Sequence, residues 1–200
     1  MKTLALELSS PRGSIAFRGA GEPVVRQFPA DRQDSALFFE NLRAIREECG
    51  LPDIIAVGVG PGSYAGIRIA IATALGLRAA ANARVVGLPS ICAFEPAEYF
   101  AIGDARRGSY FFAHVKEHRC LQGPSLVSED ELRATLGKSP HLPVLTSRPL
   151  AAFSSATLAW PSALILSELA TDAPASNEPL EPIYLRAPYI TTPKATPWTR

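Results

Sequence analysis

Four groups of residues have types and spacings that could do chemistry. His114 and His118 form HxxxH, which on a helix would set two imidazoles on one face for a shared metal. His114, however, falls in Tyr110–Lys116, which reads as a strand, where four residues span roughly 13 Å. Two nitrogens that each sit ~2 Å from one zinc are at most ~4 Å apart. No metal site is expected from the pair. Gly60-Pro61-Gly62-Ser63 lies between an apolar run and a helical stretch. It is neither GxGxxG nor a Walker loop. Gly60, Gly62 and Ser63 therefore either offer free N–H groups to an anion at a helix N-terminus or form a tight strand-to-helix turn. Glu7 precedes Leu8-Ser9-Ser10, a carboxylate beside two hydroxyls; it is either a cation ligand or a polar residue at a cleft. Asp104 and Arg106 are either a cleft-facing charged pair or ornaments of a hairpin. No Ser-His-Asp or paired-carboxylate arrangement can be assembled, so no catalytic residue is assigned.

The elements that must position these residues follow from periodicity. Ile54–Val59 is a near-continuous apolar run, suited to a strand buried on both faces. Gly66–Asn82 contains no proline and is dense in Ala, Ile and Leu, which predicts a helix of roughly 25 Å at ~1.5 Å per residue. That helix is apolar almost all round, broken only by Arg68, Thr73, Arg78 and Asn82. One core covers one side; the other needs a second lobe, a partner chain or more of its own fold. Ala72, Gly76 and Ala80 recur every four residues, a small-residue ridge on which another helix could pack closely. The two arginines, in a run shorter than the ~20 residues a span needs, argue against a membrane crossing.

Around this unit, strands are predicted at Thr3–Ser9, Ser14–Arg18 and Val24–Phe28, with a helix over Ser35–Cys49 ended by Gly50. A strand at Arg84–Gly87 leads into a helix from Ser90. A second half then opens with a hairpin, Phe100–Asp104 and Tyr110–Lys116. Ser128-Glu-Asp-Glu131 has capping-box spacing before a helix that stops at Gly137. A strand at Pro143–Thr146 and a helix at Ser162–Ala170 complete the reading. The lobes are thus 1–98 and 99–186, with 187–200 a Pro- and Thr-rich tail.

Composition excludes some classes. A net charge of +1 gives no basic surface for an independent RNA binder. Three well-separated cysteines, 49, 92 and 120, without CxxC spacing, read as reduced packing residues of a cytoplasmic protein. MKTLALELSS reads as a first strand, since its apolar run is too short for a signal peptide and contains Glu7.

Val57-Gly-Val-Gly-Pro-Gly-Ser-Tyr-Ala-Gly-Ile-Arg68 resembles the signature of the TsaB (YeaZ) family. Asp104-Ala-Arg…Tyr110 and Pro182-Ile-Tyr-Leu-Arg186 resemble two further stretches of that family, so the resemblance covers most of the chain. It departs at Glu7-Leu8, where the family usually has Asp followed by a hydroxyl residue, and at Asp34-Ser35, usually His-Ser. The resemblance implies an α/β fold of two RNase H-like halves of the actin-like ATPase (ASKHA) superfamily, with mixed sheets flanked by helices. It implies a non-catalytic subunit for threonylcarbamoyladenosine (t6A) modification of tRNA, supporting a TsaD-like transferase on which a TsaE-like ATPase docks. ATP and Mg²⁺ would then be used by the complex, none by the isolated chain, and tRNA would be reached only through the complex. A homodimer would use the same surface, at Phe39, Leu42, Ile69, Ala72, Thr73, Gly76 and Ala80. TsaD carries a metal-binding HxxxH in its first lobe, whereas residues 1–98 here hold no histidine. The alternative is a stand-alone actin-like ATPase or kinase, or an M22-type peptidase.

Overall fold

The computed structural model describes residues 1–30, 35–173 and 179–186. Asp34 and the 187–200 tail lie outside the described residues. β1 (Thr3–Glu7), β2 (Arg12–Arg18) and β3 (Val24–Pro29) form an antiparallel meander, followed by α1 (Ala36–Cys49). β4 (Ile54–Gly58), α2 (Tyr64–Ala81) and β5 (Arg84–Leu88) add parallel strands beside β1, giving the order β3-β2-β1-β4-β5.

Strand alternation sends two sets of side chains to opposite faces of this sheet. Leu4, Leu6, Ile15, Phe17, Ile55 and Val57 meet Phe38, Leu42 and Ile45 of α1 and Ile67, Ala70, Ile71 and Ala74 of α2. The other face presents mostly smaller groups, Ala5, Ala16 and Ala56 beside Ile54 and Val86. Against these packs α4 (Ala163–Asp172), through Ala163, Leu166 and Ala170. Small residues on both sides allow a close approach. The Arg84 guanidinium donates to the Ala170 and Ala173 carbonyls, satisfying the last turn of α4. The helix expected in the second half therefore covers the first sheet.

The second sheet runs β10-β9-β6-β7-β8, from β6 (Glu98–Asp104), β7 (Ser109–Lys116), β8 (Arg119–Ser128), β9 (Val144–Thr146) and β10 (Thr157–Leu158). β6, β7 and β8 are antiparallel neighbours and β9 and β10 are parallel additions, so this sheet repeats the first sheet's strand order. One face packs Phe100, Ile102 and Phe112 under Leu132 of α3 (Glu129–Gly137) and Phe153 of a 3₁₀ turn. The other packs Tyr99, Ala101, Ala113 and Val115 under Ile91, Cys92 and Phe94.

Two expectations are corrected. The helix from Ser90 is only a 3₁₀ turn, Ser90–Cys92, because Pro96 follows closely and disfavours helical backbone before it. β8 is an additional strand, hidden in the sequence because Gly123-Pro124 interrupts its pattern. The sheet accommodates that interruption with register shifts on either side of His114.

Candidate functional site

The glycine turn joins β4 to α2 by backbone contact. Gly60 has φ +95°, a left-handed conformation that favours glycine. Gly62 is needed for a different reason, since its φ is not positive. A side chain there would overlap the Ser9 carbonyl, and one on Gly66 the Leu8 carbonyl. The Ser63 N–H donates to the Ser9 carbonyl at 2.7 Å, and the Ser63 Oγ accepts from the Gly66 N–H at 3.4 Å, capping α2. The turn is thus pressed onto the end of the first hairpin.

Glu7 lies beneath it and is fully buried. Its Oε1 accepts the Ser9 N–H at 2.6 Å, while Oε2 has no hydrogen-bond partner among the described residues. A side chain on Gly58 would overlap that oxygen. Burial pushes the carboxyl above its ordinary range, against the downward pull of the Ser9 hydroxyl, the Ser90 hydroxyl and the Ser9 N–H. Ser90 ties the region together: its Oγ accepts the Gly60 N–H at 3.0 Å and its N–H donates to the Gly60 carbonyl at 2.8 Å.

Between the sheets lies a cleft of about 840 Å³. Ser9, Gly62 and Ser63 line it from one side, and Asp104, Arg106 and Arg148 from the other. Residues 183–186 border it as well. The Ile183 N–H donates to the Val59 carbonyl at 2.8 Å, Tyr184 lies 5.8 Å from Tyr64, and Arg186 donates to the Arg106 carbonyl at 3.3 Å. Asp104 and Arg106 meet, but not as an ion pair: the Asp104 Oδ1 accepts the Arg106 backbone N–H at 2.6 Å. Gly60 and Glu7 do not line the cleft. The cleft gathers three arginines and one carboxylate. Sequence reasoning misses Arg148 and Arg186 as cleft residues, because their convergence depends on how the lobes close and no local pattern announces it.

His114 and His118 each have a partner of their own. The His114 Nε2 is 3.0 Å from the Glu98 Oε1, and the His118 Nδ1 is 3.0 Å from the Cys92 carbonyl. No group of three or more His, Cys, Asp or Glu that could hold a metal occurs among the described residues.

The second feature is the outer side of α2. Ala72, Leu75, Gly76 and Ala80 are exposed, Ile69 and Thr73 half-buried, and nothing lies within 4 Å of the position a Gly76 side chain would take. By length and composition this helix could also cross a membrane. Its Ile67, Ala70, Ile71 and Ala74 stripe is nevertheless packed on the sheet. On α1, which covers the same sheet face, Phe39 is 48% exposed. Leu42, expected beside it at a partner surface, is a core residue at 6%, because its helical phase matches Phe38 and Ile45.

Two mixed sheets of one strand order, flanked by helices and with a cleft between them, make an α/β fold of two RNase H-like halves. Within that class the fold is YeaZ-like. A Pseudomonas aeruginosa protein described as similar to peptidase YeaZ superposes with a TM-score of 0.75 at 20% identity, over 92% of this chain and 99% of that one. YeaZ from Pseudomonas aeruginosa gives a TM-score of 0.65 at 20% identity, over 86% and 91%. The family model described as TsaD, tRNA N6-adenosine threonylcarbamoyltransferase, matches residues 35–122. An uncharacterized protein of Mycobacterium leprae (strain TN) is 28% identical over 148 residues, 68% of this chain. The chain spans 38% of that relative's length.

Proposed function

We propose that this chain is a non-catalytic subunit of the tRNA threonylcarbamoyladenosine machinery that binds and supports a TsaD-like transferase. The observation that carries this reading is the outward face of α2, where Ala72, Leu75, Gly76 and Ala80 form an exposed small-residue and apolar ridge beside Arg68 and Arg78 that the described residues leave uncovered. The partner helix packs along Ala72, Gly76 and Ala80, with Ile69, Thr73 and Phe39 at its margins. In the absence of the transferase a second copy takes the same place, giving an isologous dimer. A TsaE-like ATPase docks on the pair and brings ATP and Mg²⁺, and tRNA is met only through the complex, in the cytoplasm. The likeness to YeaZ structures and the match to the TsaD family model over residues 35–122 support a place in this modification system. Against a stand-alone ATPase or kinase, the first-strand carboxylate, Glu7, is buried beside Gly58 and does not line the cleft that would hold a nucleotide.

Gly76→Arg tests the reading, because it sets a long cation where two helices should nearly touch, while the open space around Gly76 lets the monomer fold. Light scattering after size exclusion, and capture of a TsaD-like protein, should both show association weakened at least about tenfold, roughly 1.4 kcal/mol. A folded variant that dimerises and captures the transferase like wild type overturns the proposal.

A further inference from the structure

The 3₁₀ turn Ser90–Cys92 connects the two sheets, and its last residue meets a second cysteine. Cys92 is 4% exposed in the cluster built on Tyr99, Ala113 and Val115, and Cys120 of β8 packs against that same cluster while keeping partial exposure. Cys120 pairs with Val115 across the β7–β8 ladder, and β7 touches the 3₁₀ turn. The hairpin end is fastened there a second time, through the His118 Nδ1 at 3.0 Å from the Cys92 carbonyl. Cys120 thus sits against the cluster that contains Cys92, and its own S–H donates to the Gln122 carbonyl at 3.7 Å. Both thiols are free, and neither takes part in the cleft or in the outer face of α2.

We propose that Cys120 and Cys92 form an intramolecular redox pair, in which a hydroperoxide oxidises the accessible Cys120 and the buried Cys92 resolves it as a disulfide. The two thiols are not equivalent. The neighbouring Cys92 holds the Cys120 thiol below its ordinary range, and the neighbouring Cys120 together with burial pushes the Cys92 thiol up. Cys120 is thus the better nucleophile, and it is also the one that solvent reaches. The Cys120 thiolate attacks one peroxide oxygen, breaking the O–O bond; it becomes a sulfenic acid and the other oxygen leaves as hydroxide. The Cys92 sulfur then attacks the sulfenic sulfur, forming the S–S bond, and the sulfenic oxygen leaves as water with the Cys92 proton. Overall, two thiols and one hydrogen peroxide give one disulfide and two waters.

The link would staple the β7–β8 hairpin to the segment whose Ser90 holds the glycine turn through Gly60. Oxidation would thereby stiffen the connection between the sheets without altering the outer face of α2.

The test uses the full reduced chain and hydrogen peroxide. Free thiols should fall from three to one, leaving Cys49, and peptide mapping should join the Cys92 and Cys120 peptides in a species that stays monomeric on a non-reducing gel. Cys49→Ser should form the same link. Cys120→Ser should form none and should keep its Cys92 thiol at peroxide concentrations that close the wild-type pair. The proposal is overturned if peroxide leaves both thiols free, or carries Cys120 to sulfinic acid with Cys92 still reduced. Because the wild-type map alone decides this, a variant that fails to fold does not rescue the idea.

Discussion

The two sheets share one strand order and differ in nearly everything attached to it. In the first, β4 and β5 are five residues each and lead into and out of the 18-residue α2. In the second, the equivalent β9 and β10 have three and two residues, and the crossover between them is the turn Ala151–Phe153. The helix the second lobe does build, α3, is finished on both sides: Leu132 faces inward, and Glu129 and Arg133 pair on the exposed side at 2.7 Å. By contrast α2 has an apolar inner face and an outer one that is largely apolar, with Arg68 and Arg78 among its exposed residues. The difference separates a lobe that ends at solvent from one that offers a surface.

The largest break in this comparison should come at the crossover turns. The first is pressed onto Ser9, so Gly62→Val forces backbone apart and should cost on the order of 3 kcal/mol. The matching turn of the second lobe contains half-buried Ser147, where Ser147→Ala should stay within about 0.5 kcal/mol. Denaturant melts of the two variants compare the lobes directly. Equal losses would mean the glycine turn is no tighter than its counterpart. If Gly62→Val left stability intact but abolished binding of an added anion, the turn would be a phosphate loop instead.

A second contrast lies at the ends of the lobes' first strands. β1 ends in Glu7, fully buried; β6 ends in Asp104, exposed and bonded to the Arg106 N–H. With its folded-state pKa raised above the ordinary value of about 4.3, Glu7 favours folding most below that value. Its contribution is lost as pH rises toward the raised folded value, because only the unfolded chain gives up the proton freely. Glu7→Gln removes this titration. Its melting temperature, measured relative to wild type, should gain with pH above about 4.3 and then level off. Parallel pH profiles for the two proteins would show that the buried carboxyl is not held neutral.

Much of this is legible in sequence where local rules and tertiary packing agree. Ile54–Val59, the glycine turn and the Ala-rich run after it define the central unit, and Ser128–Glu131 marks the start of α3. Sequence reasoning fails where distant contacts decide. The apolar run Ala163-Leu164-Ile165-Leu166 predicts a helix after Ser162 but not its place on the first sheet, because that depends on Ala5, Ala16 and Ala56 leaving room for it. Leu42 reads as a surface residue only if the whole helix is available to a partner, whereas its phase with Phe38 and Ile45 points inward. Arg148 and Arg186 reach the cleft from separate parts of the chain, and neither has a neighbour in sequence that foretells it.

The smallest effect expected separates the helices at their starts. Ser128 caps α3 fully: its Oγ accepts the Glu131 N–H at 3.3 Å, and the Glu131 carboxylate accepts the Ser128 N–H at 2.8 Å. Ser35, in the same position before α1, makes no side-chain cap bond. Ser128→Ala should therefore cost about 1 kcal/mol, and Ser35→Ala close to nothing. The reason for the asymmetry is packing. α1 is anchored by Phe38, Leu42 and Ile45 along 14 residues, whereas the nine residues of α3 bury Leu132 alone and depend more on their ends. Thermal melts of the two single variants decide it. Equal shifts would mean that the shorter helix is held by its one core contact and not by its cap.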